Sequence, residues 1–227
     1  DHKLMNIKEY KTIIFDCDGV ILNSNKIKTQ AFRQTFSKYK KELVEEFISY
    51  HEANGGISRY EKIKFFVRKL APKYKKFNEE KNYVFLLNLY SKICRESLYE
   101  AEVAEGLKFL RQINNETKWL IVSGGDQNEL RDVFQKKGIS KYFNGGIYGS
   151  PDKKKDIIHR ELTNKNIIKP ALFIGDSKLD FYAANSNKLD FIFLTDWTDF
   201  TEYKEFCSNN KIIFMKNINY ILQSIEK

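Results

Sequence analysis

Three kinds of residue are scarce in this sequence. Proline occurs three times, glycine eleven times and cysteine three times in 227 residues. Chains rich in proline and glycine tend to stay disordered, and this composition excludes that class. The three cysteines, Cys17, Cys94 and Cys207, are far apart and form no CxxC or zinc-ligand spacing. We therefore expect reduced thiols in a cytoplasmic protein rather than a framework of disulfides.

Long apolar runs and long basic runs are also absent from the sequence. No apolar run approaches the 18 residues of a membrane span, and residues 1–10 contain no apolar core of a secretion signal. Basic residues outnumber acidic ones by 39 to 30, but the longest basic run is only 153–155. Such dispersed charge favours a solvated lysine surface over a nucleic-acid footprint. Neither a membrane nor a nucleic acid is predicted as a partner, and the sequence predicts no oligomeric state.

Short apolar runs alternate with helical patterns along most of the chain. Several of these runs lack polar alternation, which is typical of strands in a parallel sheet that helices cover on both faces. The pattern predicts an α/β fold with a Rossmann-like open parallel sheet and helices on both faces. Six strands are predicted, over residues 12–15, 119–122, 146–148, 171–174, 191–194 and 211–215.

One long interval breaks this alternation. Residues 26–102 carry helical periodicity and no convincing strand, with Ser58 and Glu61 as a capping box before an apolar stripe. The sequence therefore predicts an all-helical domain over 26–102, inserted into an α/β core domain made of 6–25 and 103–227.

Acidic residues follow two of the predicted strands. Asp16 and Asp18 come directly after strand 12–15, and Asp176 and Asp180 follow strand 171–174. Ligands of open parallel sheets bind beyond the carboxyl ends of the strands. Carboxylates gathered there repel one another unless a hard cation lies between them. The alternatives are a turn-forming Asp-Gly pair with a helix-capping Asp at the first strand, and a helix N-cap at Asp176 with a surface Asp180 at the second.

Two further strand ends offer groups that bind anions. Ser123, Gly124 and Gly125 follow strand 119–122 and supply a hydroxyl and open backbone N–H groups before a helix. The alternative is a simple strand-to-helix turn. A lysine of the run 153–155 would hold an anionic oxygen at the same edge, but spacing alone does not say which one.

The four pieces together resemble the motifs of the haloacid dehalogenase-like hydrolase superfamily, specifically its phosphatases with a helical (C1-type) cap. The sequence Asp16-Cys17-Asp18-Gly19-Val20 matches the first motif, DxDG(V/T), and Ser123 matches the second. Lys154 best matches the third, within an SPxxKxxI pattern, and Asp176 and Asp180 match the fourth, GDSxxD. One departure is Asn23, where many members with this cap have an aspartate.

The resemblance implies a mechanism. Asp16 would attack phosphorus and form an aspartyl-phosphate, while Asp18 would act as general acid and then general base. Mg²⁺ would be the cofactor, held by the carboxylates of Asp16 and Asp176 and by the backbone carbonyl of Asp18, with Asp180 supporting these ligands. Ser123, Gly124 and Lys154 would hold the remaining phosphoryl oxygens.

The predicted function is Mg²⁺-dependent hydrolysis of a small phosphorylated metabolite, with a sugar phosphate favoured. Arg59, in the glycine-containing stretch 54–59, is the candidate substrate-binding residue of the cap; a solvated arginine in a tight turn is the alternative, and His51 and Lys64 are weaker candidates. Asp18 argues against a dehalogenase, because halide departure needs no general acid. A phosphomutase shares every core motif and stays open. The retention of Asp16 and Asp18 argues against a regulatory binding module on an inactive scaffold.

Overall fold

The computed structural model describes residue 4, residues 6–74, residue 76 and residues 78–224. Within them, six strands form one sheet in the order β3-β2-β1-β4-β5-β6, and every neighbouring pair is parallel. The strands are β1 (Thr12–Phe15), β2 (Lys118–Asp126), β3 (Gly146–Ser150), β4 (Ala171–Gly175), β5 (Asp190–Leu194) and β6 (Ile213–Met215). The prediction of a Rossmann-like open parallel sheet is confirmed.

Of these six strands only β1 keeps its predicted bounds, and the differences at β2 and β6 have a cause in the backbone. β2 runs four residues past the predicted 119–122, because it pairs with β3 again at Asp126 and Ser150 after a register shift. The predicted anion-binding stretch therefore lies inside an irregular strand rather than after a regular one. β6 begins two residues after the predicted start, and Lys211 before it has a left-handed φ of 54° that no strand residue adopts.

Helices cover the sheet and fill the interval between β1 and β2. That interval holds α1 (Asn25–Thr35), α2 (Lys41–Ala53), α3 (Arg59–Phe65) and α4 (Glu79–Leu98), with a π-helix at Phe66–Leu70 and a 3₁₀ turn at Ala71–Lys73. The later helices are α5 (Leu107–Ile113), α6 (Gln127–Lys136), α7 (Lys154–Thr163), α8 (Lys178–Ser186), α9 (Tyr203–Asn209) and α10 (Ile218–Gln223). Further 3₁₀ turns lie at Ile7–Glu9 and Ser140–Tyr142. Among the described residues, none of the helices combines the length and the apolar character that crossing a bilayer requires.

Burial at the centre of the sheet explains the continuous apolar runs in the sequence. All four residues of β1 are buried. Ile13 and Phe15 belong to the apolar cluster on one face of the sheet, and Ile14 belongs to the cluster on the other. Residues of α5, α6 and α10 join the first cluster and residues of α7 and α8 join the second. Because both faces of β1 are covered, no position in it needs to be polar.

We call residues 26–102 the helical insert. Aromatic rings form much of its interior: Phe32 stacks on Tyr90 with ring centroids 4.0 Å apart, and Phe36 stacks on Phe66 at the same distance. The Oγ of Ser58 accepts a hydrogen bond from the Glu61 N–H and caps α3. These rings belong to the same buried cluster as Ile13 and Phe15. The described residues of the insert form no strand, while its domain boundaries at 26 and 102 stay a prediction.

Candidate active site

The register of the sheet brings the motif-bearing strand ends to one edge. Phe15 at the end of β1 pairs with Ile121 of β2 and with Ile174 of β4. Asp16 follows Phe15 directly, and Asp176 comes two residues after Ile174. Because parallel strands all end at the same edge, residues far apart in sequence meet there.

Three buried carboxylates form a cluster at this edge. Asp16, Asp176 and Asp180 each offer an oxygen, and these oxygens lie within 4.8 Å of one another. The Nζ of Lys154 lies 3.2 Å from the Oδ1 of Asp16 and 2.5 Å from the Oδ1 of Asp180. A single lysine among three carboxylates leaves negative charge in excess, away from water.

The electrostatics of this cluster suit a bound cation. Burial and then the charge of Asp180 raise the pKa of Asp16 well above its ordinary value, although Lys154 acts in the opposite direction. Burial, followed by the charges of Asp16 and Asp180, likewise raises the pKa of Asp176. A divalent cation would remove this repulsion, and carboxylate oxygens are the ligands that Mg²⁺ prefers. The residues present therefore fit a magnesium ion.

Asp180 is held by hydrogen bonds from both of the neighbouring site residues, Lys154 and Asp176. Its Oδ1 accepts from Lys154, and its Oδ2 accepts from the backbone N–H of Asp176 at 3.0 Å. Its own N–H donates to the Oγ of Ser177 at 3.2 Å, so Ser177 caps α8. The alternative that Asp176 is the N-cap is therefore wrong. The carboxylate of Asp176 instead accepts from the Nδ2 of Asn25 at 2.9 Å.

The carboxylate of Asp18 lies outside this cluster and has its own partners. It accepts from the Oγ of Ser24 at 2.6 Å and from the Nζ of Lys28 at 2.7 Å. Burial favours the neutral acid, but the charge of Lys28 and the two hydrogen bonds outweigh it and hold the pKa of Asp18 below its ordinary value. The motif analysis missed Lys28, although it lies one helical turn after Ser24 at the start of α1.

The predicted anion-binding stretch faces the helical insert. The Oγ of Ser123 accepts from the Gly125 N–H at 3.0 Å, and the serine is wholly buried. A Cβ on Gly124 would lie 2.1 Å from the carbonyl oxygen of Gly56, so the insert approaches this backbone closely. Of the lysine run, only Lys154 is buried; its neighbours at 153 and 155 are exposed.

A cavity of about 440 Å³ lies between the core and the insert, a size typical of small-molecule sites. The core lines it with Asp16, Asp18, Gly124, Gly125 and Asp176, and the insert with Lys28, His51, Gly56, Arg59 and Lys62, among others.

Arg59 lies in this cavity wall but is not a solvated turn residue. It is buried, and its guanidinium donates through both terminal nitrogens to the carboxylate of Glu129, on α6 of the core. The same guanidinium lies 4.8 Å from the ring centre of Tyr90. The alternative of a solvated arginine is wrong, and Glu129, which holds the insert to the core, was missed by the sequence analysis.

The family of the chain follows from a sequence comparison. The model of the haloacid dehalogenase-like hydrolases matches residues 10–186, which include every motif residue described above. The chain belongs to the haloacid dehalogenase-like hydrolase family. A comparison with curated proteins found no match.

Solved structures share the fold of this haloacid dehalogenase-like hydrolase. A hydrolase of the same family from Streptococcus pneumoniae is 19% identical, with 96% of this chain and 98% of that chain covered and a TM-score of 0.67. A predicted phosphatase from Clostridium acetobutylicum is 19% identical, with 95% and 98% covered and a TM-score of 0.71. A HAD-hydrolase from Bacillus subtilis bound to magnesium is 17% identical, with 97% and 100% covered and a TM-score of 0.68.

The lack of a side chain at Gly19 leaves space for the carboxylate of Asp176, and an alanine in its place would fill that space. Its φ is 77°, and a Cβ there would lie 2.0 Å from the Oδ2 of Asp176. We expect Gly19→Ala to lower the free energy of unfolding by about 1–2 kcal/mol for the left-handed backbone alone. It should also lower activity by about 100-fold, because displacing the Asp176 carboxylate by about 1 Å would disrupt the buried cluster. Denaturant unfolding and phosphatase assays measure the two effects.

Gly138 provides the matched control for this substitution. It has a similar φ of 70°, but a Cβ there would meet nothing within 4 Å. Gly138→Ala should show the backbone cost and keep full activity. Equal activity losses in the two variants would contradict the steric role of Gly19.

Proposed function

We propose that this hydrolase is a Mg²⁺-dependent phosphatase that removes phosphate from a small metabolite through an aspartyl-phosphate at Asp16. The observation that carries this proposal is the buried cluster of Asp16, Asp176 and Asp180, with Lys154 as its only ion-pair partner among the described residues. The cluster lies beside a cavity large enough for a metabolite. Phosphoryl transfer depends mainly on positioning and on neutralising charge, and this edge of the sheet supplies groups for both.

The contacts of Asp16 suit a nucleophile. Its Oδ1 accepts from the Cys17 N–H at 2.8 Å and faces Lys154, which fixes the orientation of the carboxylate. Its Oδ2 accepts no hydrogen bond from the described residues. In the proposed first step an Asp16 oxygen forms a bond to phosphorus and the ester P–O bond breaks. In the second step water attacks phosphorus, and Asp16 is released as a carboxylate.

Asp18 would move the proton in both steps. Its ionised form, paired with Lys28, is the form that accepts a proton from the attacking water. The first step needs the protonated form, which gives its proton to the leaving alkoxide. Separation from Lys28 would favour that form, since the charge and hydrogen bond of this lysine are the largest influences that lower the pKa of Asp18.

The remaining groups of the site would bind the metal ion and the phosphoryl oxygens. Asp16 and Asp176, with the Asp18 backbone carbonyl, would bind Mg²⁺, which supplies positive charge next to the phosphoryl oxygens. The magnesium in the Bacillus subtilis structure of the same fold supports this choice of ion. Lys154, Ser123 and the N–H of Gly124 would bind the other phosphoryl oxygens. The helical insert would act as a cap that shields the reaction.

Removal of the metal tests this proposal. We expect the purified protein to hydrolyse p-nitrophenyl phosphate with Mg²⁺, and excess EDTA to reduce the rate by at least about 100-fold, because the carboxylates would again repel the phosphate. Added Mg²⁺ should restore the rate, while EDTA already saturated with Mg²⁺ serves as the control. A rate that EDTA leaves unchanged would refute the metal assignment.

The same assay separates a phosphatase from a phosphomutase. A phosphatase releases free phosphate from a sugar phosphate without any bisphosphate activator. Isomerised sugar phosphate, with no free phosphate and only in the presence of a bisphosphate, would establish the mutase instead.

A further inference from the structure

Lys62 is a buried lysine in the cavity wall. Its side chain is basic, whereas the edge of the sheet carries acidic side chains. It lies on α3, is 4% exposed and lines the cavity. Its Nζ donates to the Nδ1 of His51 at 2.8 Å and to the His51 carbonyl oxygen at 3.2 Å. An ammonium group has three N–H donors, and the third has no partner among the described residues.

His51 holds Lys62 in place through a defined tautomer. The Nε2 of His51 lies 2.9 Å from the Oγ1 of Thr29, whose hydroxyl donates to the carbonyl oxygen of Asn25 at 3.1 Å. With that hydroxyl directed at Asn25, the consistent assignment places the imidazole hydrogen on Nε2 and lets Nδ1 accept from Lys62. Burial and the neighbouring charge of Lys62 lower the pKa of His51 to about 2, so the ring stays neutral. Helices α1, α2 and α3 thus fix this lysine together.

Lys62 differs from two other cations that line the cavity in having no acidic partner among the described residues. Lys28 is paired with Asp18, and Arg59 is paired with Glu129. Among the described residues, no carboxylate lies within 4.0 Å of the Nζ of Lys62, although Asp18 and Asp199 act on it from further away. Burial and then the charge of Lys28 lower the pKa of Lys62 to about 7. A buried charge without a partner is costly unless a ligand neutralises it.

We propose that Lys62 binds a second anionic group, a carboxylate or a phosphate, on the leaving group of the substrate. This inference rests on the proposed function, in which the transferred phosphoryl group lies at the acidic edge with its metal. The leaving group then extends along the cavity to the wall formed by the insert, where the free donor of Lys62 receives its anionic end. Phosphate esters of sugar acids and sugar bisphosphates have this chemistry.

Three small phosphate esters test the proposal. Glycerol 3-phosphate, 3-phosphoglycerate and glycerol 1,3-bisphosphate place a hydroxymethyl group, a carboxylate and a second phosphate at the same position. Each is measured as a competitive inhibitor of p-nitrophenyl phosphate hydrolysis in Mg²⁺, so the comparison does not require turnover of the ester itself. We expect one or both anionic compounds to bind about 10- to 100-fold more tightly than glycerol 3-phosphate. This ratio corresponds to the free energy of about one charge-assisted hydrogen bond. The more tightly bound of the two anionic compounds shows whether Lys62 prefers a carboxylate or a phosphate.

The substitution Lys62→Met should abolish this preference while the affinity for glycerol 3-phosphate changes little. Lys64→Met is the matched control, because Lys64 lies on the same helix and is exposed; it should keep the wild-type preference. Equal affinity of the wild type for all three compounds, or a preference that survives Lys62→Met, would overturn the inference. Absence of aryl phosphate hydrolysis would instead refute the proposed function on which the inference rests.

Discussion

The substitution Asp16→Asn is expected to lower the rate of p-nitrophenyl phosphate hydrolysis in Mg²⁺ by at least about 10⁴-fold, as the loss of a covalent nucleophile does in other enzymes. Asparagine has the same shape as aspartate, but its neutral amide cannot form the acyl phosphate. The Oδ1 position can still accept from the Cys17 N–H and lie beside the Nζ of Lys154. The loss would therefore report chemistry rather than misplacement of the side chain.

The stability of this variant is the second half of the prediction. The charge of Asp16 is disfavoured by burial and by Asp180, so its removal relieves repulsion within the cluster. Lys154 keeps Asp180 as an ion-pair partner. We therefore expect the free energy of unfolding of Asp16→Asn, measured without metal, to equal or exceed that of the wild type.

Asp156→Asn controls for the effect of the net charge, because Asp156 is an exposed acid on α7. This variant should retain wild-type turnover. An Asp16→Asn protein that is folded and turns over the aryl phosphate at a comparable rate would exclude Asp16 as the nucleophile.

The sheet could be predicted from the sequence because its central strands are buried on both faces. Ile13, Ile14 and Phe15 alternate between two apolar clusters, so the strand reads as one continuous apolar run. The acidic edge followed from the same reading, since the carboxyl ends of parallel strands must meet. The extension of β2 to Asp126 could not be read in this way, because it depends on renewed pairing with Ser150 across a register shift.

The partners of the site residues were much harder to predict, since they come from distant parts of the chain. Arg59 could be chosen as a candidate because glycines precede it in the sequence. Its partner Glu129, however, lies 70 residues away on another helix. Lys154 could be chosen from its run only through the family resemblance, and the structure shows it as the buried member. The pairing of Lys62 with His51 left no sign in the sequence, because each residue alone resembles an ordinary helix residue. Such contacts depend on how the helices pack.

Lys154→Met is the other substitution with a large expected effect. The side chain of Lys154 is 2% exposed, and its ammonium group lies between Asp16 and Asp180. Burial alone would lower the pKa of this lysine, but the two carboxylates outweigh burial and raise it. Methionine has a similar length and no charge, so it leaves three carboxylates together without a cation. We expect a loss of about 3–5 kcal/mol in the free energy of unfolding, as for other buried ion pairs that lose one partner.

Activity should fall as well, by about 100- to 1,000-fold, because Lys154 neutralises charge where the phosphoryl group would bind. Lys155→Met removes an exposed lysine from the same helix and should change neither quantity.

A metal titration distinguishes the loss of charge from a simple packing defect in Lys154→Met. If the proposed site binds Mg²⁺, added Mg²⁺ should stabilise the variant more than the wild type, because the ion replaces part of the missing positive charge. The double variant Lys154→Met/Asp180→Asn should recover part of the lost stability, since one unpaired carboxylate is gone. A loss that neither Mg²⁺ nor Asp180→Asn reduces would mean that Lys154 acts through the packing of its alkyl chain, and the electrostatic account of the cluster would be wrong.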